Sequence, residues 1–206
     1  MSEENPTCSS VISCMYSIVN HISRTAALLD QSSIEDIIRR LMEADKIFVM
    51  GAGRSGLVAR AFAMRLMHLG FTVFVVGDST TPAVGKGDMV VIISGSGETF
   101  SMSSLANIAK DLGAVIVAVT SNPDSTLGKL ADMAVVVKGR TKSDSDEDED
   151  YLERQIRGDY RSLALAPLGT MFEITSLVVL DAIVAGLMTV MGQSEADLKS
   201  RHATLE

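Results

Sequence analysis

The sequence predicts a three-layer α/β fold, a doubly wound five-stranded parallel sheet with helices on both faces. Three observations carry that expectation. The strand candidates are continuous apolar runs such as "KIFVM" and "MVVIIS", which suit strands covered on both faces. Each run is followed by a glycine-bearing turn and a helical stretch, the repeating unit of a parallel sheet. The chain is 47% hydrophobic, with no tryptophan, and its bulk is aliphatic, as packed helices on a buried sheet require.

Two helices precede the sheet, over 8–30 and 32–44. Val11, Met15, Ile18, Ile22 and Leu29 give the first an apolar stripe near helical spacing. Ser32 or Ser33 is placed to cap the second, with Glu35 and Asp36 in its first turn. The strands are expected at 46–50, 71–76, 89–94, 114–120 and 133–138, with helices at 54–69 and 99–112 and a short one after "SNPDS". Gly70 and Gly113 end the two longer helices, and a left-handed C-cap is expected at Gly70. The acidic loop, 140–150, contains "SDSDEDED"; its like charges repel and it has nothing apolar to bury, so it reads as solvated. Helices over 151–203 close a single domain spanning 1–206, the last of them long and introduced by "APLGT".

The formal charge of −8 speaks against a nucleic-acid partner, whose grip comes from basic contacts to phosphates. It does not forbid a small anion in a locally positive pocket. Cys8 and Cys14 are six apart in one helix, about 120° apart around its axis and so on different faces, and read as ordinary thiols of a reducing compartment. "MSEENPT" is not a secretory leader. "MFEITSLVVLDAIVAGLMTVMG" carries Glu173 and Asp181, so it reads as a buried soluble helix rather than a membrane span. A cytoplasmic location is expected.

Two turns carry the chemistry. "GAGRSG", residues 51–56, joins a strand to a helix and has the spacing G-x-G-x-x-G. That spacing admits a dinucleotide, and Asp78 even falls where a ribose contact would be sought. Alone it is a weak signal, because any tight strand-to-helix turn favours glycine. The second turn, "SGSGETFS" at 94–101, decides against the dinucleotide. Ser94, Ser96 and Thr99 offer hydroxyls, while Gly95 and Gly97 expose backbone N–H groups at a helix start. Several hydroxyls at one point suit the three acceptor oxygens of a phosphate monoester. Gly53 and Ser55 add donors from the first turn, and Arg54 adds a cation. Should the two strands be neighbours, both turns face one small ligand at the carboxyl ends of the sheet.

"GAGRSG" and "SGSGET" together resemble the sugar isomerase (SIS) domain family. Within it "GAGRSGLVARAFAMRLMHLGF", "ISGSGET" and "APLGTMFE" look like the 6-phospho-3-hexuloisomerase branch. The resemblance covers nearly the whole chain, including the leading helices and the closing "RHA". It implies interconversion of D-arabino-3-hexulose 6-phosphate and D-fructose 6-phosphate through an enediol, without cofactor, in a homotetramer. Arabinose 5-phosphate isomerase and a phosphosugar sensor without catalytic activity are the competing readings.

Moving a carbonyl by one carbon needs a base, and a carboxylate in a partly apolar site serves. Glu173, in the first turn of the last long helix, reads on sequence alone equally as a helix-dipole partner or as a base; the resemblance to "APLGT-x-FE" implies the base. His202, in "SRHA", is the candidate proton donor or ring-opening residue, and the family resemblance implies that a neighbouring subunit supplies it. Glu98 opens a helix and reads as its dipole partner at the edge of the substrate seat. His68, near a helix C-terminus, and Asp181 read as structural, and His21 as a surface or interface residue.

Overall fold

The computed structural model describes residues 6–139 and 166–204; the acidic run at 143–150 and the helix expected near Tyr151 lie outside them. Among the described residues the elements are α1 (Pro6–Leu28), α2 (Gln31–Glu43), β1 (Ile47–Gly51), α3 (Arg54–Leu69), β2 (Val73–Val75) and β3 (Met89–Ile93). They continue with α4 (Phe100–Asp111), β4 (Val115–Thr120), α5 (Thr126–Leu130), β5 (Met133–Val136), α6 (Thr170–Met191) and α7 (Glu195–Ser200). The sheet is parallel with strand order β2-β1-β3-β4-β5.

Alternate residues of each central strand serve opposite layers. Ile47, Val49, Val91, Val117 and Val135 face a core built with Phe62 and Leu66 of α3 and Phe172, Leu180 and Leu187 of α6. Phe48, Met50, Val90, Ile92 and Ile116 face a second core built with Met102 and Ala106 of α4 and Leu127 of α5. Both faces are therefore covered, which is why the strands read as unbroken apolar runs. Each such side chain contributes about 1.5–3 kcal/mol by leaving water. By length and composition α6 could cross a membrane, but in the fold Met171, Phe172, Val179, Leu180, Ile183, Val184 and Leu187 are buried against its neighbours.

Three local expectations are corrected. Asp30, not Ser32 or Ser33, caps α2: its carboxylate accepts from the Ser33 N–H at 2.9 Å and from both serine hydroxyls. A charged acceptor answers the helix dipole better than a hydroxyl. On α1, Val11 and Met15 are 56% and 62% exposed, and Ser17 and Thr25 are buried instead. Small side chains let α1 lie close to α6, and the Thr25 hydroxyl donates to the His21 carbonyl at 3.0 Å. Strand β2 is shorter than 71–76, because the Phe71 N–H turns back to the Leu66 carbonyl at 3.1 Å to close α3. Gly70 takes the expected left-handed conformation there, at φ +94.

Candidate functional site

Strands β1 and β3 are neighbours, paired from Ile47–Met89 to Gly51–Ile93. From β1 the chain passes through α3 to β2, and from β3 it passes through α4 to β4 on the other side. The two helices lie on opposite faces of the sheet. A crevice opens at such a switch of direction, and GAGRSG and SGSGET form its two lips.

The first lip shows why its glycines are spaced as they are. A Cβ on Gly51 would come within 2.7 Å of the Ser55 carbonyl, and one on Gly56 within 2.7 Å of the Gly51 oxygen. Both glycines serve the close approach of strand and helix. Gly53 caps α3 at φ +58 with open space before it. Backbone packing thus requires Gly51 and Gly56, and the positive φ requires Gly53. Ser55, half-buried on this lip, has a hydroxyl that bonds to no other described residue.

The second lip is strapped to the segment after β4. The Gly95 carbonyl accepts from the Ser121 N–H at 2.9 Å and from the Ser121 hydroxyl at 2.7 Å. The Gly97 carbonyl accepts from the Leu127 N–H at 3.0 Å. Gly97 sits at φ +66, and a Cβ there would lie 1.9 Å from the Ser125 hydroxyl oxygen. Ser94 is buried, with its hydroxyl 3.5 Å from that of Thr99. Thr99 is the N-cap residue of α4 but makes no side-chain cap bond, so its hydroxyl is not spent on the helix. The Ser96 hydroxyl accepts from the Glu98 N–H at 3.2 Å. Hydroxyls fixed by such a strap are held in place before an anion arrives.

Glu173 reaches the crevice from α6. Gly169, at φ +87, caps that helix, and the Glu173 N–H donates to its carbonyl at 3.0 Å. The helix start is laid against the end of β5, where a Cβ on Gly139 would meet the Phe172 nitrogen at 2.8 Å. The Glu173 carboxylate then faces the first lip and accepts from Arg54 Nε. The glutamate side chain is 13% exposed and the arginine 60%.

Other expected residues lie elsewhere. Glu98 does not serve its own helix: its carboxylate accepts from the Thr126 N–H at 2.9 Å and the Thr126 hydroxyl at 2.6 Å, at the start of α5. The Thr126 side chain, then its backbone, hold that carboxyl below its usual range. With its oxygens so engaged, Glu98 braces the second lip against the start of α5. His202 stacks on His68, with ring centroids 3.9 Å apart, at the far end of α3. From Arg54 to His68 that helix rises about 21 Å, so His202 does not meet Glu173 within one chain. His68, expected as a structural residue at a helix C-terminus, is buried, and its carbonyl accepts from Arg201 at 3.0 Å. Asp78 pairs with Arg60 at 2.8 Å, and Asp181 lies 3.6 Å from Arg65. The sequence reading missed Ser121 and Ser125, which position the second lip, and Lys138, whose ammonium donates to the Ser121 carbonyl at 3.4 Å. The visible signals were hydroxyls in "TSNPDS" and a cation closing "VVVKG".

The SIS domain matches residues 40–145. The 3-hexulose-6-phosphate isomerase of Bacillus subtilis is 38% identical over 92% of this chain and 95% of its own. The protein of that name from Mycobacterium gastri is 39% identical over 91% and 87%. A crystal structure from Methanococcus jannaschii, from which a 3-hexulose-6-phosphate isomerase function was inferred, superposes with a TM-score of 0.75 at 31% identity, covering 93% of this chain and 98% of that one. The chain belongs to the SIS domain family, alongside the proteins named 3-hexulose-6-phosphate isomerase.

Proposed function

We propose that the protein interconverts D-arabino-3-hexulose 6-phosphate and D-fructose 6-phosphate. The observation that carries this reading is the adjacency of β1 and β3, with Glu173 beside the crevice they open. The phosphate seats on Ser94, Gly95, Ser96, Gly97 and Thr99, with Ser55 and the Gly53 turn closing over it from the other lip. Backbone N–H groups and hydroxyls at a helix start are a ready anion seat. The rest of the open-chain sugar then extends toward Glu173.

Glu173 takes the proton from C3 of fructose 6-phosphate, and the electrons of that C–H bond form the C2–C3 double bond of an enediolate. The C3 hydroxyl proton passes to the C2 oxygen, and return of the first proton to C2 as the C2–C3 double bond breaks leaves the carbonyl at C3 and a hydroxyl at C2. Arg54 orients the carboxylate and offers a positive charge beside the oxygens on which negative charge develops. His202 acts in the site of a second copy, since its own Glu173 is beyond reach. The assembly is a homo-oligomer, in our reading a tetramer, of single-domain cytoplasmic chains. The exposed Val11, Ile12, Met15, Tyr16 and Val19 of α1 support association, being more clustered apolar surface than a lone chain needs.

Incubation with fructose 6-phosphate in heavy water tests the reaction. Deuterium at C3 of recovered substrate, together with new 3-hexulose phosphate, is expected; neither appearing would refute the assignment.

A further inference from the structure

The carboxyl edge of β5 carries a cation that the mechanism above does not use. Lys138 lies two residues past the strand, and its side chain is exposed. Its ammonium donates to the Ser121 carbonyl at 3.4 Å, and among the described residues no carboxylate pairs with it. Lys46 and Lys110, by contrast, sit 2.9 Å from Asp88 and 3.0 Å from Asp132. On a chain with 26 acidic residues and a formal charge of −8, a lysine with no carboxylate partner among the described residues, at the carboxyl edge of the sheet, is available to an anion.

The surroundings fix where that ammonium can go. The His21 ring donates from Nε2 to the Lys138 carbonyl at 2.8 Å. On the other side, Gly139 is pressed against Phe172, one residue before Glu173. These two contacts fix the lysine backbone relative to both α1 and α6. Ser121 connects its ammonium to the second lip, because the Ser121 N–H and hydroxyl both donate to the Gly95 carbonyl. One residue's width therefore separates the ammonium from Gly95. An ammonium has three donors, and one long bond to a neutral carbonyl leaves two for an incoming ligand.

We propose that Lys138 is a further substrate-binding residue, its ammonium bonding a phosphate oxygen of the sugar phosphate seated on the Ser94–Thr99 lip. This depends on the phosphate seat of the proposed function and not on which carbon is isomerised. His21 then holds the lysine's backbone and touches no substrate.

The test is calorimetric titration of inorganic phosphate and, separately, of fructose 6-phosphate into the native protein, Lys138→Met and Lys138→Arg. A charge-assisted hydrogen bond corresponds to about tenfold to 100-fold in affinity. Lys138→Met is expected to weaken both probes by that factor and Lys138→Arg to recover most of it. The Michaelis constant for fructose 6-phosphate should follow the affinities, with a much smaller change in kcat. Because Lys138 is exposed, the melting temperature serves as the check that the fold is kept. Native affinity in Lys138→Met, or no binding of either probe by the native protein, overturns the proposal. Loss of phosphate affinity in Lys138→Met, with no sugar interconversion by the native protein, sustains the lysine while dismissing the hexulose reaction.

Discussion

Arg54, the first residue of α3, donates its Nε–H to the carboxylate of Glu173, in the first turn of α6, across 119 positions of sequence. The pair joins the first turns of two helices that then run side by side, with Asp181 3.6 Å from Arg65 and Gln193 donating to the Leu69 carbonyl at 3.0 Å. It gives the crevice one carboxylate, largely shielded from water, and one solvent-facing guanidinium. Glu173→Gln is expected to keep the fold and fructose 6-phosphate affinity while lowering kcat by about 100-fold to 10,000-fold, the range of a lost general base. Steady-state kinetics beside calorimetry check this, and a near-native kcat would remove Glu173 from the role.

The hydroxyls of the two lips should act on binding rather than on stability. Ser55→Ala removes a hydroxyl that no other described residue engages. It should weaken inorganic phosphate and fructose 6-phosphate about tenfold or more, at the low end of a hydrogen bond to a charged group, and leave the melting temperature unchanged. Unaltered affinity would place the phosphate away from the first lip.

Gly97→Ala should be costly to the fold. It asks a Cβ to occupy φ +66 and to sit 1.9 Å from the Ser125 hydroxyl oxygen. Backbone strain and overpacking together cost about 2 kcal/mol or more, a fall in melting temperature of roughly 4–8 °C for a domain of this size. A thermal scan that shows no loss would mean that the close approach of Gly97 to Ser125 does not constrain the loop.

The Glu98 brace gives stability a defined pH dependence. Its carboxyl is held below its ordinary value of 4.5 by Thr126. A depressed folded-state value contributes stability that is whole above the unfolded value and is lost as pH falls through the folded one. The melting temperature of Glu98→Gln should therefore trail the native protein at neutral pH. That gap should narrow below about pH 4.5. A gap that widens with acid would contradict the brace.

His202 stands about 21 Å along α3 from its own Arg54. Co-expressed Glu173→Gln and His202→Ala chains should therefore form mixed oligomers that are more active than either parent, since one of the shared sites regains both groups. Mixed oligomers no better than the parents would show that His202 and Glu173 do not act together across subunits.

Much of the fold was legible because its signals are local. An apolar run followed by glycine and a helical stretch marks each central strand, and Gly70 ends α3 as its position requires. Both lips were found in the same way, from Gly51 to Gly56 and from Ser94 to Thr99. Strand order was not legible: nothing in either turn says that β1 pairs with β3, and the site depends on that adjacency. Ser121, Ser125 and Lys138 escaped notice for the same reason, since they become site residues only when β4 and β5 lie beside β3. The apolar stripe of the first helix is half-buried at Ile18, Ile22 and Leu29 and exposed at Val11 and Met15. Val11 and Met15 suit burial by type, yet the close contact selects small residues, Ser17 and Thr25. Asp30 was passed over because the serines after it looked like caps, although they donate to it instead.

A single phosphoryl group is gripped by both lips at once in the proposed reaction, and a crystal structure with fructose 6-phosphate bound measures that directly. It should place the phosphorus within hydrogen-bonding reach of Ser55 on one side and of Ser96 and Thr99 on the other, with C3 of the sugar facing Glu173. A phosphate bound at another edge of the sheet, or a sugar turned away from Glu173, would contradict it.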